Sequence, residues 1–197
     1  MFPLVVTEGQ LEIPVVQKVF DDLGIEHEET RFVPKGGGNA FWRDAVKYNK
    51  AARHAGPVLG IADLEQSPCP GGLIVQYLPH GRHASFVLRI AVRMLEAWLL
   101  ADRQAISSFL RVPVAHVPKD PDNLPHAKQC LVNLARQSRK RQIVEDIVPP
   151  QGSEGVVGRG YAPQMTNFIQ IAWRPNIAST NSNSLRRALA AIQAVAA

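Results

Sequence analysis

Two short apolar runs, Leu4-Val5-Val6-Thr7 and Pro57-Val58-Leu59-Gly60-Ile61-Ala62, each end abruptly in acids: Glu8 and Glu12 after the first, Asp63 and Glu65 after the second. Continuous apolar runs of this length, rich in β-branched residues, read as strands buried on both faces, the pattern of a parallel sheet. After the first run, Leu11, Val15, Val16, Val19, Phe20 and Leu23 recur at helical spacing, with Pro14 in the first turn and Gly24 as the stop. Strands alternating with amphipathic helices require crossover connections and so a parallel, doubly covered sheet. In such sheets ligands sit beyond the carboxyl ends of the strands, which is where these acids fall.

The remaining pattern extends the same alternation. A weaker strand is expected over residues 28–33, a helix over 40–54, a short strand over 73–78, and a strand over 85–92 running into a helix that contains 94–102. Beyond Pro113, loops rich in Pro, Asp and Gly separate a helix near 124–137 from a last one near 184–196, for which Ser184 is the expected N-cap. The fold class expected is therefore α/β: a mostly parallel sheet flanked by helices over residues 1–110, with a mainly helical and loop extension over 111–197 packed on it as one compact domain.

No apolar run approaches the roughly 18 residues needed to cross a bilayer, and no basic leader precedes the first apolar stretch, so a cytoplasmic protein with no membrane partner is expected. Cys69 and Cys130 show no metal-ligand spacing, which argues against zinc and against a disulfide framework. The formal charge of +5 favours a polyanionic partner. Basic residues concentrate at Arg89 and Arg93, at Arg139, Lys140 and Arg141, and at Arg186 and Arg187; Arg89, Arg93, Arg139, Lys140 and Arg141 are the candidate nucleic-acid contacts.

Glu8 precedes Gly9 at the expected strand end, and Glu12 lies one helical turn further, so both can face one point. Asp63 and Glu65 share a side if the backbone stays extended. Glu96 lies inside the apolar stretch Met94-Leu95-Glu96-Ala97-Trp98-Leu99-Leu100, where a buried charge needs a partner: Arg93 or Arg89 as an ion pair, or a metal. Carboxylates brought together repel, and a hard cation with oxygen ligands, Mg²⁺ or Mn²⁺, relieves that repulsion. Lys35-Gly36-Gly37-Gly38-Asn39 lacks the spacing of a phosphate-binding loop and reads as a connector.

Together, Glu8-Gly9-x-x-Glu12, Asp63-x-Glu65 and Glu96-Ala97-Trp98-Leu99-Leu100-Ala101-Asp102 resemble the Toprim family. More closely, the chain resembles an uncharacterised bacterial family of stand-alone Toprim-like proteins, similar to the nuclease domain of overcoming-lysogenisation-defect (OLD) ATPases. The resemblance implies a Toprim-like sheet, a metal set of Glu8, Glu12, Asp63 and Glu65, and catalysis by Glu8, Asp63, Glu65 and Glu96. It implies a Mg²⁺-dependent nuclease or related phosphodiester hydrolase acting on nucleic acid, DNA first, in phage defence or DNA processing, with a partner ATPase possible. The second motif departs from the family by carrying Glu65 where an aspartate is usual. No tyrosine has the setting of a nucleophile, so hydrolysis by metal-activated water is the expected chemistry. The competing expectation is a catalytically inactive nucleic-acid-binding or regulatory subunit.

Overall fold

The structure is a computed structural model that describes residues 2–196. The chain forms two compact units: the first takes in the chain through Val92 together with the stretch from Arg186 on, and the second is Arg93–Leu185. The second unit thus begins directly after the fourth strand.

The first unit is built as β1 (Leu4–Thr7), α1 (Glu12–Leu23), β2 (Arg31–Pro34), α2 (Gly38–Arg43), α3 (Ala45–His54), β3 (Val58–Asp63), α4 (Pro70–Tyr77) and β4 (Phe86–Ala91). The strands form one all-parallel sheet in the order β2-β1-β3-β4, so the chain is α/β as its alternating pattern requires. From β1 the chain steps one way to β2, then back across β1 to β3. Right-handed crossovers therefore place α1 on one face of the sheet and α2 and α3 on the other. Val6, Val58, Ala62, Phe86, Leu88 and Ile90 pack with Phe41, Trp42, Ala45, Tyr48 and Ala52 on the α2–α3 side. Burying each such large side chain contributes about 1.5–3 kcal/mol. A Cβ at Gly60 would stand 3.0 Å from the Phe86 ring and 3.3 Å from that of Phe41, so the bare backbone of β3 lets α2 close on the sheet.

Three expectations change here. Residues 73–77 belong to helix α4, with Leu78 as its C-cap, and not to a strand. Pro70 occupies the first turn, the Cys69 thiol accepts the Gly72 N–H at 3.3 Å, and Leu73 and Leu78 turn into the core. The run is too short and too uniformly apolar for its period to be read. The 40–54 helix is two helices broken at Asp44, whose carboxylate takes the Lys35 ammonium at 2.5 Å. The second strand starts later than expected, at Arg31, after Thr30 Oγ1 donates to the Phe2 carbonyl at 2.8 Å.

The second unit is helical: α5 (Leu95–Ala101), α6 (Arg103–Leu110), α7 (Ala127–Arg136), α8 (Arg141–Ile147), α9 (Tyr161–Ile171), α10 (Pro175–Ser179) and the start of α11 (Asn183–Ala196). Every residue of α5 is buried. Trp173 Nε1 donates to the Trp98 carbonyl at 3.1 Å, fixing α5 against the turn before α10. Asp102 is fully buried and caps α6 through the Ala105 N–H at 3.2 Å. It also receives the Arg174 N–H and both forks of the Arg174 guanidinium at 2.8 Å, so it is a structural staple. Ser182, not Ser184, caps α11, its Oγ accepting the Leu185 N–H at 3.1 Å. Ser184 Oγ instead accepts from Trp98 Nε1 at 2.7 Å and donates to Asp122. Among the described residues no helix is long and apolar enough to cross a membrane.

Candidate acidic site at the carboxyl edge of the sheet

The order β2-β1-β3-β4 makes the gap between the carboxyl ends of β1 and β3 the point where the chain reverses direction across the sheet. Such a switch point opens a crevice between loops that leave toward opposite faces, and it is the usual ligand position in sheets of this kind. Glu8 follows β1 there, and Asp63 closes β3.

The two are joined directly. Glu8 N–H donates to the Ile61 carbonyl at 3.1 Å, continuing the β1–β3 ladder, and Glu8 Oε2 accepts the Asp63 N–H at 3.1 Å. Glu8 is only 9 % exposed. Its carbonyl accepts the Gly37 N–H at 2.8 Å, and a Cβ at Gly38 would stand 3.1 Å from its Oε1. The glycine segment after β2 therefore wraps the Glu8 carboxylate: Gly37, at φ 134°, adopts a backbone that other residues avoid, and Gly38 leaves the room the carboxylate occupies. Its role is to enclose Glu8, and three consecutive glycines one residue past a strand are the sequence signal for that closeness.

Glu12 is 6 % exposed and opens α1; its Oε2 accepts the Gly9 N–H at 3.1 Å, while Thr7 Oγ1 donates to the Gly9 carbonyl at 2.7 Å. Glu8 and Glu12 thus bend over the same tight turn. The sheet's pleat separates Glu8 from Asp63 in direction. Asp63 shares the parity of Leu59 and Ile61, the face covered by α1, whereas Glu8 leans on α2 at Gly38. The acids reach the edge from both faces.

Glu65 lies two residues beyond β3, exposed, at φ 50°. A left-handed backbone at a non-glycine residue costs about 1–2 kcal/mol, and such strain concentrates at functional positions. Lys35 enters the same edge, its N–H donating to the Thr7 carbonyl at 2.9 Å. The hydrogen bond to Asp44, then one to Tyr48, holds the Lys35 ammonium above its ordinary pKa, and the same bond holds Asp44 below its own.

Glu96 belongs to the second unit and is 2 % exposed. Its carboxylate accepts the Tyr161 hydroxyl at 2.8 Å and lies 3.5 Å from the Lys128 ammonium, so its charge is met from α9 and α7. Arg93 opens that unit, half-buried, and Arg89 sits within β4. Arg141 is exposed and pairs with Glu145 one turn on at 2.7 Å, while Arg139 and Lys140 line a depression of about 740 Å³ with Arg111. The basic contacts expected from the sequence are thus spread over both units.

For a hard cation the donor chemistry at the edge fits: buried carboxylate oxygens, with a cradle that a Cβ at Gly38 or Gly9 would invade. The four-acid set does not close as a cage. Among the described residues no three His, Cys, Asp or Glu side chains are grouped so as to hold a metal, and Glu8, Glu12, Asp63 and Glu65 form no such group. No family model, no curated protein and no solved structure matches this chain.

Proposed function

We propose that the chain is a divalent-cation-dependent phosphodiester hydrolase acting on nucleic acid, a nuclease of Toprim type. The observation that carries the reading is the buried Glu8 carboxylate bonded to the Asp63 N–H at the β1–β3 switch point. Mg²⁺ dehydrates reluctantly and commonly takes only one or two carboxylates, filling its other positions with water and substrate phosphate. Glu8 and Asp63 are the residues that would hold it, with Glu12 beside them. A cation there supplies charge stabilisation to a phosphoryl oxygen and a more acidic bound water. The chain's own part is to fix Glu8 through the Asp63 and Ile61 backbone and to keep the edge clear of side chains at Gly9 and Gly38. The net charge of +5 supports an anionic substrate.

The test is cleavage of labelled single- and double-stranded DNA and RNA by the full chain with Mg²⁺ or Mn²⁺, repeated with Glu8→Gln and Asp63→Asn. Metal-dependent cleavage that falls by at least about 100-fold in each variant supports the reading. Salt-sensitive binding with no cleavage in any metal overturns it in favour of a non-catalytic nucleic-acid-binding subunit.

A further inference from the structure

Arg89 is the one charged residue within β4, whose five other residues are buried. It lies in the row Thr7–Ile61–Arg89, on the sheet face opposite Phe86, Leu88 and Ile90. Its guanidinium is half-buried and is met by backbone carbonyls: Nε donates to Leu88 O at 2.7 Å and Nη1 to Arg187 O at 3.2 Å. Arg82, in the loop before β4, donates to the carbonyl of Phe86 three residues earlier on the same strand. Arg187 adds a third guanidinium from the part of α11 that belongs to this unit. Among the described residues no ion pair joins Arg82, Arg89 or Arg187 to a carboxylate.

A cation withdrawn from water without a counter-charge is costly, and two like charges beside it add to the cost. Burial first, then Arg82 and Arg187, push the Arg89 guanidinium below its ordinary pKa. A clamp on the Arg187 carbonyl explains one hydrogen bond of Arg89. It does not explain why the residues flanking that clamp are also arginines. An anion seated among them reverses the sign of every one of these interactions, and the planar guanidinium fork matches phosphate oxygens.

We propose that Arg82, Arg89 and Arg187 form an anion site for a phosphate group, supplied either by a nucleic-acid backbone or by a free phosphate ester. The ligand of this site binds without a divalent cation, so its failure and that of the hydrolase reading are separately visible. Arg82 and Arg187 are exposed, so Arg82→Gln and Arg187→Gln, singly and together, remove charge without opening the core.

The experiment is thermal unfolding of the full chain in sodium phosphate against sodium chloride of equal ionic strength, in EDTA, beside anisotropy titrations with a labelled single-stranded oligonucleotide. Phosphate at about tenfold above Kd should raise the wild-type Tm by about 3–6 °C. The double variant should lose that rise, leaving only the general stabilisation that excluded anions give any fold, and its Tm without phosphate should stay level or increase. If a nucleic-acid backbone is the ligand, oligonucleotide affinity falls about tenfold per lost contact and the log–log salt slope shrinks by about 1.4 for two charges. If a free phosphate ester is the ligand, the Tm effect vanishes while oligonucleotide affinity is unchanged. A double variant that keeps both the full phosphate rise and the full oligonucleotide affinity overturns the proposal.

Discussion

Replacing Gly38 with Ala should leave the fold about as stable while loosening the hold of the strand ends on a divalent cation. Gly38 is the first residue of α2 and its backbone lies outside the left-handed region, so local propensity favours Ala by about 0.5–1 kcal/mol. The added Cβ would stand 3.1 Å from Glu8 Oε1, 3.3 Å from its Cδ and 3.4 Å from Oε2. The carboxylate must therefore move by a few tenths of an ångström. It is held by the Asp63 N–H at 3.1 Å, and a hydrogen bond to a charged group is worth about 1.5–3 kcal/mol, part of which the shift surrenders. The two effects leave net stability within about 1 kcal/mol of the wild type, but a misplaced ligand lowers metal affinity by about 10–100-fold. Urea unfolding in EDTA reads the first quantity and Mn²⁺ titration by calorimetry the second. Mn²⁺ affinity equal to wild type in a folded Gly38→Ala protein would remove Glu8 from the cation site.

Glu65→Gly relieves the left-handed backbone and should stabilise the chain by about 1 kcal/mol; if the carboxylate serves the cation, Mn²⁺ affinity and cleavage fall together, and unchanged values release Glu65 from the site. Asp102→Ala deletes a fully buried carboxylate that caps α6 and binds Arg174 through three nitrogens, and should cost about 3–5 kcal/mol in denaturant unfolding; a loss below about 1 kcal/mol would show that the staple is dispensable. Asp44 has its folded pKa held below the ordinary 3.8 by the Lys35 hydrogen bond, so the pair's contribution is complete above that value and is lost as pH falls through the lower folded value. The Tm difference between wild type and Asp44→Asn should be constant near neutrality and shrink below about pH 4, and a pH-independent difference would contradict the assignment.

What could be read in the chain follows from where its signals are local. The β-branched runs at Leu4–Thr7 and Val58–Asp63 are buried on both faces, so they need no partner to be recognised as parallel strands, and the structure pairs them directly. Gly24 stops α1 at φ 67° because a left-handed cap favours glycine. Other features depend on distant groups and leave no local trace. The choice of Ser182 over Ser184 as a cap is made by Asp122 and Trp98, which occupy Ser184. The sequence offers Glu96 Arg93, Arg89 or a metal as its partner, whereas Tyr161 and Lys128, 65 and 32 positions away, meet its charge. Helix α4 hid because its cap is a cysteine, a residue type that carries little capping signal.

The site itself shows the same division. That Glu8 and Asp63 each end a strand is local information; that these strands are neighbours is a property of the order β2-β1-β3-β4. The crossovers then impose a consequence that spacing alone does not contain. With α1 on one face and α2 on the other, the loop after β1 and the loop after β3 leave the edge in different directions, so acids drawn from them meet only across the strand ends. Glu8 spans that gap by folding its carboxylate onto the Asp63 backbone, with Gly38 clearing the way. A cation seated on this edge would draw on few protein ligands and be open to solvent and substrate, a geometry suited to an ion that must also bind phosphate and unsuited to one serving only as a structural pin. The chemistry inferred for this chain therefore depends less on how many acids it carries than on the reversal of direction that brings two of them to the same crevice.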